Sequence, residues 1–145
     1  MSKNKHNKNV GSAIERSDDR INQTGEVFTP MTLCYQMVDE TLEALRDRLE
    51  KHEEVKFLDS SAGSGNFPYA LLDRLVNVWG YKVETVRDKM LYCVEFMEDN
   101  HAELCERLGV SVTHPHYVRA DATTYDYSFG EPLNPLASAI DALFQ

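Results

Sequence analysis

The stretch from residue 55 to residue 80 constrains the fold more than any other part of the sequence. The apolar run Val55–Leu58 is followed at once by a loop of small residues, Asp-Ser-Ser-Ala-Gly-Ser-Gly-Asn-Phe, from Asp59 to Phe67. Apolar residues at helical spacing come next: Leu71, Leu72, Leu75, Val76 and Trp79, with Pro68 in the first turn and Gly80 at the end. This pattern predicts a buried strand, a glycine-rich turn and a helix.

The same alternation of strand and helix continues along the chain. We predict a second strand from Met90 to Glu95, a helix from Asp99 to Leu108 that ends at Gly109, and a third strand from His116 to Ala120. An amphipathic helix over residues 30–50 is predicted before the first strand, with Thr29 as its N-cap and Pro30 as its first residue. Residues 83–89 fit neither pattern clearly.

Strands that alternate with helices are typical of a parallel sheet, so the predicted fold class is α/β, with three parallel strands and flanking helices. Each predicted strand ends in an acid: Asp59, Glu95 and Asp121. Because the carboxyl ends of parallel strands meet at one edge of the sheet, where such sheets bind ligands, we expect these carboxylates to surround a binding site.

A glycine loop followed by a helix N-terminus suits a ligand that approaches bare backbone, and a carboxylate after the second strand suits a ribose diol. A phosphate-binding P-loop is excluded because no lysine follows Gly65. A dinucleotide fold is disfavoured because Pro68 stands where a third glycine or alanine belongs, and Glu95 lies 32 residues after Gly63 instead of about 20. S-adenosylmethionine, which has no pyrophosphate, remains the favoured ligand.

Four motifs resemble those of adenine-N6 DNA methyltransferases. Asp59–Phe67 looks like motif I, Asp-Pro-x-x-Gly-Ser-Gly-x-Phe, and Thr24–Pro30 resembles the motif X that precedes it in gamma-type enzymes and in type I restriction modification subunits. Val94-Glu95-Phe96 is similar to motif II, and Ala120-Asp121-Ala122 to motif III. The resemblance covers residues 23–125. It implies a Rossmann-like, S-adenosylmethionine-dependent methyltransferase fold that is incomplete, since only three strands are predicted.

The resemblance also implies a role for each matching residue. Phe28 and Thr29, with Thr24 nearby, would lie over the methionine end and ring of the cofactor, and Asp59 would hold the methionine amino group directly or through water. Ala62, Gly63 and Gly65 would let the cofactor approach the backbone. Glu95 would accept both ribose hydroxyls, Asp121 would accept from the adenine amino group, and Phe96 would cover the adenine. A purely structural alternative, in which Asp59 and Asp121 cap helices or turns, stays open.

The family's catalytic motif IV, [Asp/Asn]-Pro-Pro-[Tyr/Phe], is matched only by Asn134-Pro135-Leu136-Ala137, which lacks the second proline and the aromatic residue. Asn134 is therefore a degenerate catalytic candidate, and an Asn-Pro turn before a last helix over residues 136–144 is the favoured interpretation. We expect the chain alone to be inactive, with motif IV supplied by a longer protein or a second chain, unless the frame is decayed. His114-Pro115-His116 is interpreted as a solvent loop, and no metal site is predicted.

Charge and cysteine usage complete the interpretation. A formal charge of −9 argues against the chain gripping DNA alone, because phosphate binding needs lysine and arginine on the contact face. Residues 1–23, with Lys3, Lys5 and Lys8, are expected to form a flexible polar leader, and residues 24–145 a partial methyltransferase domain. No apolar run of membrane-spanning length occurs, and because the first residues are polar, no secretory signal is expected. Three scattered cysteines predict buried thiols in a reducing, cytoplasmic compartment.

The sequence therefore predicts the S-adenosylmethionine-binding part of a DNA adenine-N6 methyltransferase. In the complete enzyme, a methyl group would pass from the sulfonium to the exocyclic amine of a flipped adenine. DNA is expected as a partner through that complete enzyme or a second chain. Alternatives are a split-enzyme subunit, a non-catalytic S-adenosylmethionine-binding or protein-interaction module, and a methyltransferase acting on a small molecule or a protein.

Overall fold

Short strands alternate with helices along the part of the chain that the computed structural model describes, residues 28–124 and 142. The elements are α1 (Met31–Ala44), α2 (Arg46–Glu50), β1 (Phe57–Asp59), α3 (Asn66–Asn77), α4 (Val83–Thr85) with a π-helical turn (Val86–Met90), β2 (Leu91–Val94), α5 (Glu98–Leu108), β3 (Tyr117–Val118) and a 3-10 turn (Ala122–Thr124). The predicted leader, Thr24, Asn134 and all of the predicted last helix except residue 142 lie outside the described residues.

The three strands form one parallel sheet in the order β1-β2-β3. Phe57 pairs with Leu91 and Asp59 with Cys93, and Cys93 pairs in turn with Tyr117. Helix α1 packs on α3, and α5 packs on both α3 and β3. The predicted α/β class with a parallel sheet and flanking helices is confirmed, although each strand is shorter than or offset from its predicted range.

The first predicted helix differs from expectation at both its start and its middle. Pro30, with φ −56° and ψ 144°, is the N-cap, so the prediction that Thr29 caps this helix is wrong. Proline suits this position because it has no N–H to leave without an acceptor. The helix is interrupted at Leu45, whose φ of −102° and ψ of 10° separate α1 from α2. Leu42 and Leu49 are nevertheless both buried, so the predicted apolar face is retained across the break.

Helix α3 begins, and helix α5 ends, at a glycine in the left-handed conformation. Gly65 is the N-cap of α3 with φ +99°, and Gly109 is the C-cap of α5 with φ +71°. Glycine is favoured at both because a Cβ atom penalises a positive φ. Helix α3 ends at Asn77, before the predicted stop at Gly80.

The core is built from the apolar faces of the helices packed on the sheet. Its largest fully buried side chains include Leu42, Leu75, Leu104 and Leu108 from the helices and Tyr117 from β3. The Tyr117 hydroxyl donates to the Arg87 carbonyl at 2.8 Å, so this phenol is satisfied despite its burial.

The three cysteines are buried and free, as predicted: Cys34 on α1, Cys93 on β2 and Cys105 on α5. Burial raises the pKa of the Cys34 and Cys105 thiols to about 11 and also raises the pKa of the Cys93 thiol. These thiols are therefore protonated at neutral pH. Among the helices that the structure describes, none combines the length and the apolar character needed to span a bilayer.

Candidate functional site

A cavity of about 500 Å³ opens at the carboxyl edge of the sheet, where β1 and β2 end and the chain leaves β3. Its volume falls within the range usual for sites that bind small molecules. Most of the predicted cofactor residues line it: Phe28, Thr29, Ala62, Gly63, Glu95, Phe96 and Asp121. The structure thus brings together residues that are up to 93 positions apart in the sequence, from Phe28 to Asp121.

The glycine loop forms the floor of this cavity and is fastened to β2. The Ala62 N–H donates to the Val94 carbonyl at 3.0 Å. Gly63 has φ +57°, and a Cβ atom built there would lie 3.2 Å from Cε1 of Phe28. Close contact with the Phe28 ring, together with the positive φ, therefore favours glycine at this position.

Gly65 contributes to the site from behind and does not line the cavity. A Cβ atom built on it would lie 2.9 Å from Cδ1 of Leu104 on α5, so its lack of a side chain lets the loop pack on that helix. The Gly65 carbonyl accepts from the Tyr69 N–H at 2.8 Å, which is the first hydrogen bond of α3. The N-terminus of α3 lies beside the cavity, since Asn66 and Phe67 line it, and a helix N-terminus favours an electron-rich ligand.

Glu95 is only 8% exposed and is held by three donors from its own protein. Its Oε2 accepts from the Met97 N–H at 2.8 Å and from Nδ2 of Asn100 at 3.4 Å, and its Oε1 accepts from the Gly63 N–H at 3.2 Å. A carboxylate oxygen has two lone pairs. Among the described residues, these three donors leave one acceptor position on Oε1.

Asp59 occupies the carboxyl end of β1 but lines a neighbouring groove, not the main cavity. Its Oδ1 accepts from the Ser61 N–H at 3.0 Å. Burial raises the pKa of this carboxyl above its ordinary value, and the Ser61 hydrogen bond offsets only part of that effect. The turn-capping role considered from the sequence is therefore present at Asp59.

Asp121 and Phe96 lie on the wall of the cavity farthest from β1. Asp121 Oδ1 accepts from the N–H and the hydroxyl of Thr123 at 3.0 and 2.6 Å, which fixes the carboxylate in an Asx turn. Phe96, which lines the same cavity, is 53% exposed and so offers an apolar surface to a ligand there. The pair suits a flat ligand group that carries a hydrogen-bond donor.

A second groove, of about 490 Å³, lies along β1 and is also lined by Leu91 of β2. Helix α1 contributes Met37 and Thr41, β1 contributes Phe57 and Leu58, and α3 contributes Leu71. Met37 and Leu58 are 46% and 41% exposed. Within residues 28–124, β1 pairs only with β2, so the other edge of β1 has no partner strand among these residues.

No family model, curated protein or solved structure matches this chain. The site must therefore be interpreted from its own geometry.

Sequence reasoning missed two residues that organise the site, Asn66 and Arg107. Asn66 lines the cavity and donates from Nδ2 to the Thr29 carbonyl at 2.9 Å. Arg107 donates from Nη1 to the Asn66 Oδ1 at 2.8 Å. Asn66 is within motif I, but the motif assigns it no role. Nothing in the sequence near Arg107, in the last turn of its helix, indicates its function, because its partners Ser64 and Asn66 are more than 40 residues away.

The two histidines of the predicted solvent loop are both engaged. Nε2 of His114 lies 2.8 Å from Asp88 Oδ1, and Nδ1 of His116 lies 3.1 Å from the Leu91 carbonyl. The His116 ring also stacks on Tyr92, with 4.0 Å between ring centroids. Both rings therefore serve the packing of the loop before β3.

Proposed function

We propose that the chain is the S-adenosylmethionine-binding part of an adenine-N6 DNA methyltransferase with the motif order X, I, II, III. The observation that carries the proposal is that residues from all four motifs line one cavity at the carboxyl edge of a parallel sheet. These residues were selected from sequence motifs alone. The parallel sheet by itself brings the strand ends to this edge, but it does not account for Phe28 and Thr29 of motif X, which precede α1 and line the same cavity.

In this proposal the cofactor lies across the ends of the strands. The methionine end approaches Phe28, Thr29 and the glycine loop, with Asp59 holding the amino group through water. The ribose donates one hydroxyl hydrogen to Oε1 of Glu95. The adenine lies against Phe96 and donates its amino hydrogen to Asp121, which the cavity lining and the exposed Phe96 ring support.

The proposed reaction moves a methyl group from the sulfonium of the cofactor to the exocyclic nitrogen of an adenine flipped out of the DNA stack. The residues that would hold that adenine are not recognisable in this sequence, apart from the degenerate Asn134. We therefore assign motif IV to another polypeptide segment that continues the sheet beside β1. The apolar groove along β1, with Met37 and Leu58 exposed, supports this position for it.

A second candidate is a non-catalytic S-adenosylmethionine-binding subunit that regulates a partner. The degenerate motif at Asn134 favours it over a one-chain enzyme. Both candidates share the same cofactor site, so cofactor binding tests them together.

Isothermal titration calorimetry with S-adenosylmethionine tests the site. We expect a dissociation constant in the micromolar-to-millimolar range, about −8 to −4 kcal/mol, with no competition from NAD or ATP. Phe96→Ala and Asp121→Asn should each weaken binding about tenfold, because the first removes the adenine platform and the second replaces an acceptor oxygen with a donor. Val112→Ala and Asp47→Asn, at exposed positions away from the cavity, are the matched controls.

Absence of binding by the parent chain at millimolar cofactor would refute the proposal. Binding that Phe96→Ala and Asp121→Asn leave unchanged would refute the assignment of the adenine end of the cavity.

A further inference from the structure

Asn66 connects the glycine loop to the segment that precedes α1. It is 5% exposed; its Nδ2 donates to the Thr29 carbonyl at 2.9 Å, and its Oδ1 accepts from Nη1 of Arg107 at 2.8 Å. A flipped amide would set oxygen against oxygen at Thr29 and nitrogen against nitrogen at Arg107, so the two partners fix its orientation. Asn66 thus transmits the position of Arg107 to Thr29.

Arg107 reaches this point from α5, outside the cavity. The same Nη1 donates to the Ser64 carbonyl at 2.9 Å, and the guanidinium lies over the Tyr69 ring at 5.1 Å from its centroid. Desolvation lowers the pKa of this arginine, but it stays charged because the ordinary value is far above neutrality. One cation therefore holds the back of the glycine loop and the Asn66 amide together.

The far end of this series of contacts is the wall of the cavity. Thr29 and Phe28 both line it, and the Phe28 ring lies against Gly63 on the floor. Because Asn66 holds the Thr29 carbonyl, the Phe28 ring is kept over the loop before any ligand arrives. A wall assembled in advance lowers the ordering cost of binding.

We propose that Arg107 and Asn66 are positioning residues for the cofactor: through Thr29 they hold Phe28 over the glycine loop. The identity of the ligand, S-adenosylmethionine, rests on the proposed function, whereas the positioning of Phe28 does not. Arg107 does not line the cavity, so it acts on the ligand indirectly, through contacts that within residues 28–124 include Asn66, Ser64, the Tyr69 ring and Sδ of Met31.

Arg107→Met tests the proposal by two independent measurements. Chymotrypsin cleavage after Phe28, followed by mass spectrometry, should become about tenfold faster, because the charge-assisted hydrogen bond that fixes Asn66, and through it the Thr29 carbonyl, is lost. The calorimetric affinity for S-adenosylmethionine should fall about tenfold for the same reason. Arg107→Lys, whose ammonium can donate to both the Ser64 carbonyl and the Asn66 amide, should recover most of each effect.

Arg74→Met is the matched control. Arg74 also lies over a tyrosine ring, that of Tyr35 at 4.3 Å, and pairs with Asp39 at 2.9 Å, but it joins α1 to α3 away from the cavity. Its replacement should lower thermal stability without changing the affinity or the cleavage after Phe28. Equal effects of Arg107→Met and Arg74→Met on both measurements would overturn the proposal, because they would show a general loss of stability.

Asn66→Asp decides the question if Arg107→Met does not fold. The carboxylate keeps a partner for Arg107 but has no donor for the Thr29 carbonyl, so cleavage after Phe28 should rise while the loop stays anchored. Unchanged cleavage in Asn66→Asp would refute the positioning role. If the parent does not bind S-adenosylmethionine, the proposed function fails, and the cleavage measurement still decides whether these residues hold Phe28.

Discussion

The substitution Glu95→Gln isolates the contribution of one buried carboxylate to the loop that it holds. In the parent, Oε1 accepts from the Gly63 N–H and Oε2 from the Met97 N–H, at 3.2 and 2.8 Å. Glutamine has the same shape but only one acceptor oxygen. Whichever way the amide is turned, its NH₂ group faces a backbone N–H, and one donor at the edge of the cavity loses its acceptor.

The magnitude follows from that lost acceptor. Leaving a buried donor unsatisfied costs about 1–3 kcal/mol, and the shorter Met97 bond favours the orientation in which Gly63 is the residue left without a partner. For a domain of this size, the loss corresponds to a fall in melting temperature of about 3–10 °C. Because the whole free energy of unfolding is only about 5–15 kcal/mol, this is a measurable fraction of it.

Urea unfolding followed by circular dichroism measures the change. Glu98→Gln is the matched control, since Glu98 is an exposed acid in the first turn of α5, the helix that follows Glu95. Loss of its charge should lower the free energy of unfolding by only about 0.3–1 kcal/mol. If Glu95→Gln unfolds within about 0.5 kcal/mol of the parent, the carboxylate does not hold the glycine loop, and the account of the cavity floor is wrong.

Three further changes have expected outcomes. Gly65→Ala should lower the free energy of unfolding by about 1–2 kcal/mol or more, measured in urea, because φ is +99° and the new Cβ would meet Leu104; equal stability would show that the loop relaxes freely. Asp59→Asn removes a carboxyl whose pKa is raised in the folded state. Its contribution to the stability of the parent is largest below about pH 4, where the carboxyl is protonated, and is lost as the pH rises and the buried carboxyl ionises. The variant has no carboxyl to ionise at this position, so it does not undergo this loss. The variant should therefore be the more stable protein at neutral pH, and a parent that is more stable there would contradict the burial argument. Incubation of the chain with radiolabelled S-adenosylmethionine and mixed DNA should leave adenine unlabelled, whereas labelling that Asn134→Ala abolishes would restore a one-chain enzyme.

The sheet and its carboxyl edge could be predicted because their signals are local. Apolar strands that alternate with helices indicate parallel pairing, and an acid that follows each strand must then lie at the shared edge. The end of α5 was equally clear, since Gly109 follows the last apolar residue and adopts the left-handed conformation that glycine favours.

The remaining features depend on partners that are distant in the sequence. Nothing between Leu42 and Leu49 marks the break at Leu45, because both leucines keep the spacing of one continuous helix. The interactions of Glu95 with Gly63 join residues 32 positions apart, and those of Arg107 with Asn66 join residues 41 apart. The spacing of apolar residues along the sequence does not indicate which distant residues form hydrogen bonds, and a motif specifies residue types but not their hydrogen-bond partners.

The separate placement of the three buried thiols makes them natural reporters of local opening. Alkylating reagents attack the thiolate, and burial keeps Cys34, Cys93 and Cys105 protonated and covered in the native state. Each thiol reacts only when its own element opens: α1 for Cys34, the central strand β2 for Cys93, and α5 for Cys105. The order in which iodoacetamide labels them therefore records the order in which these elements open, without any introduced probe.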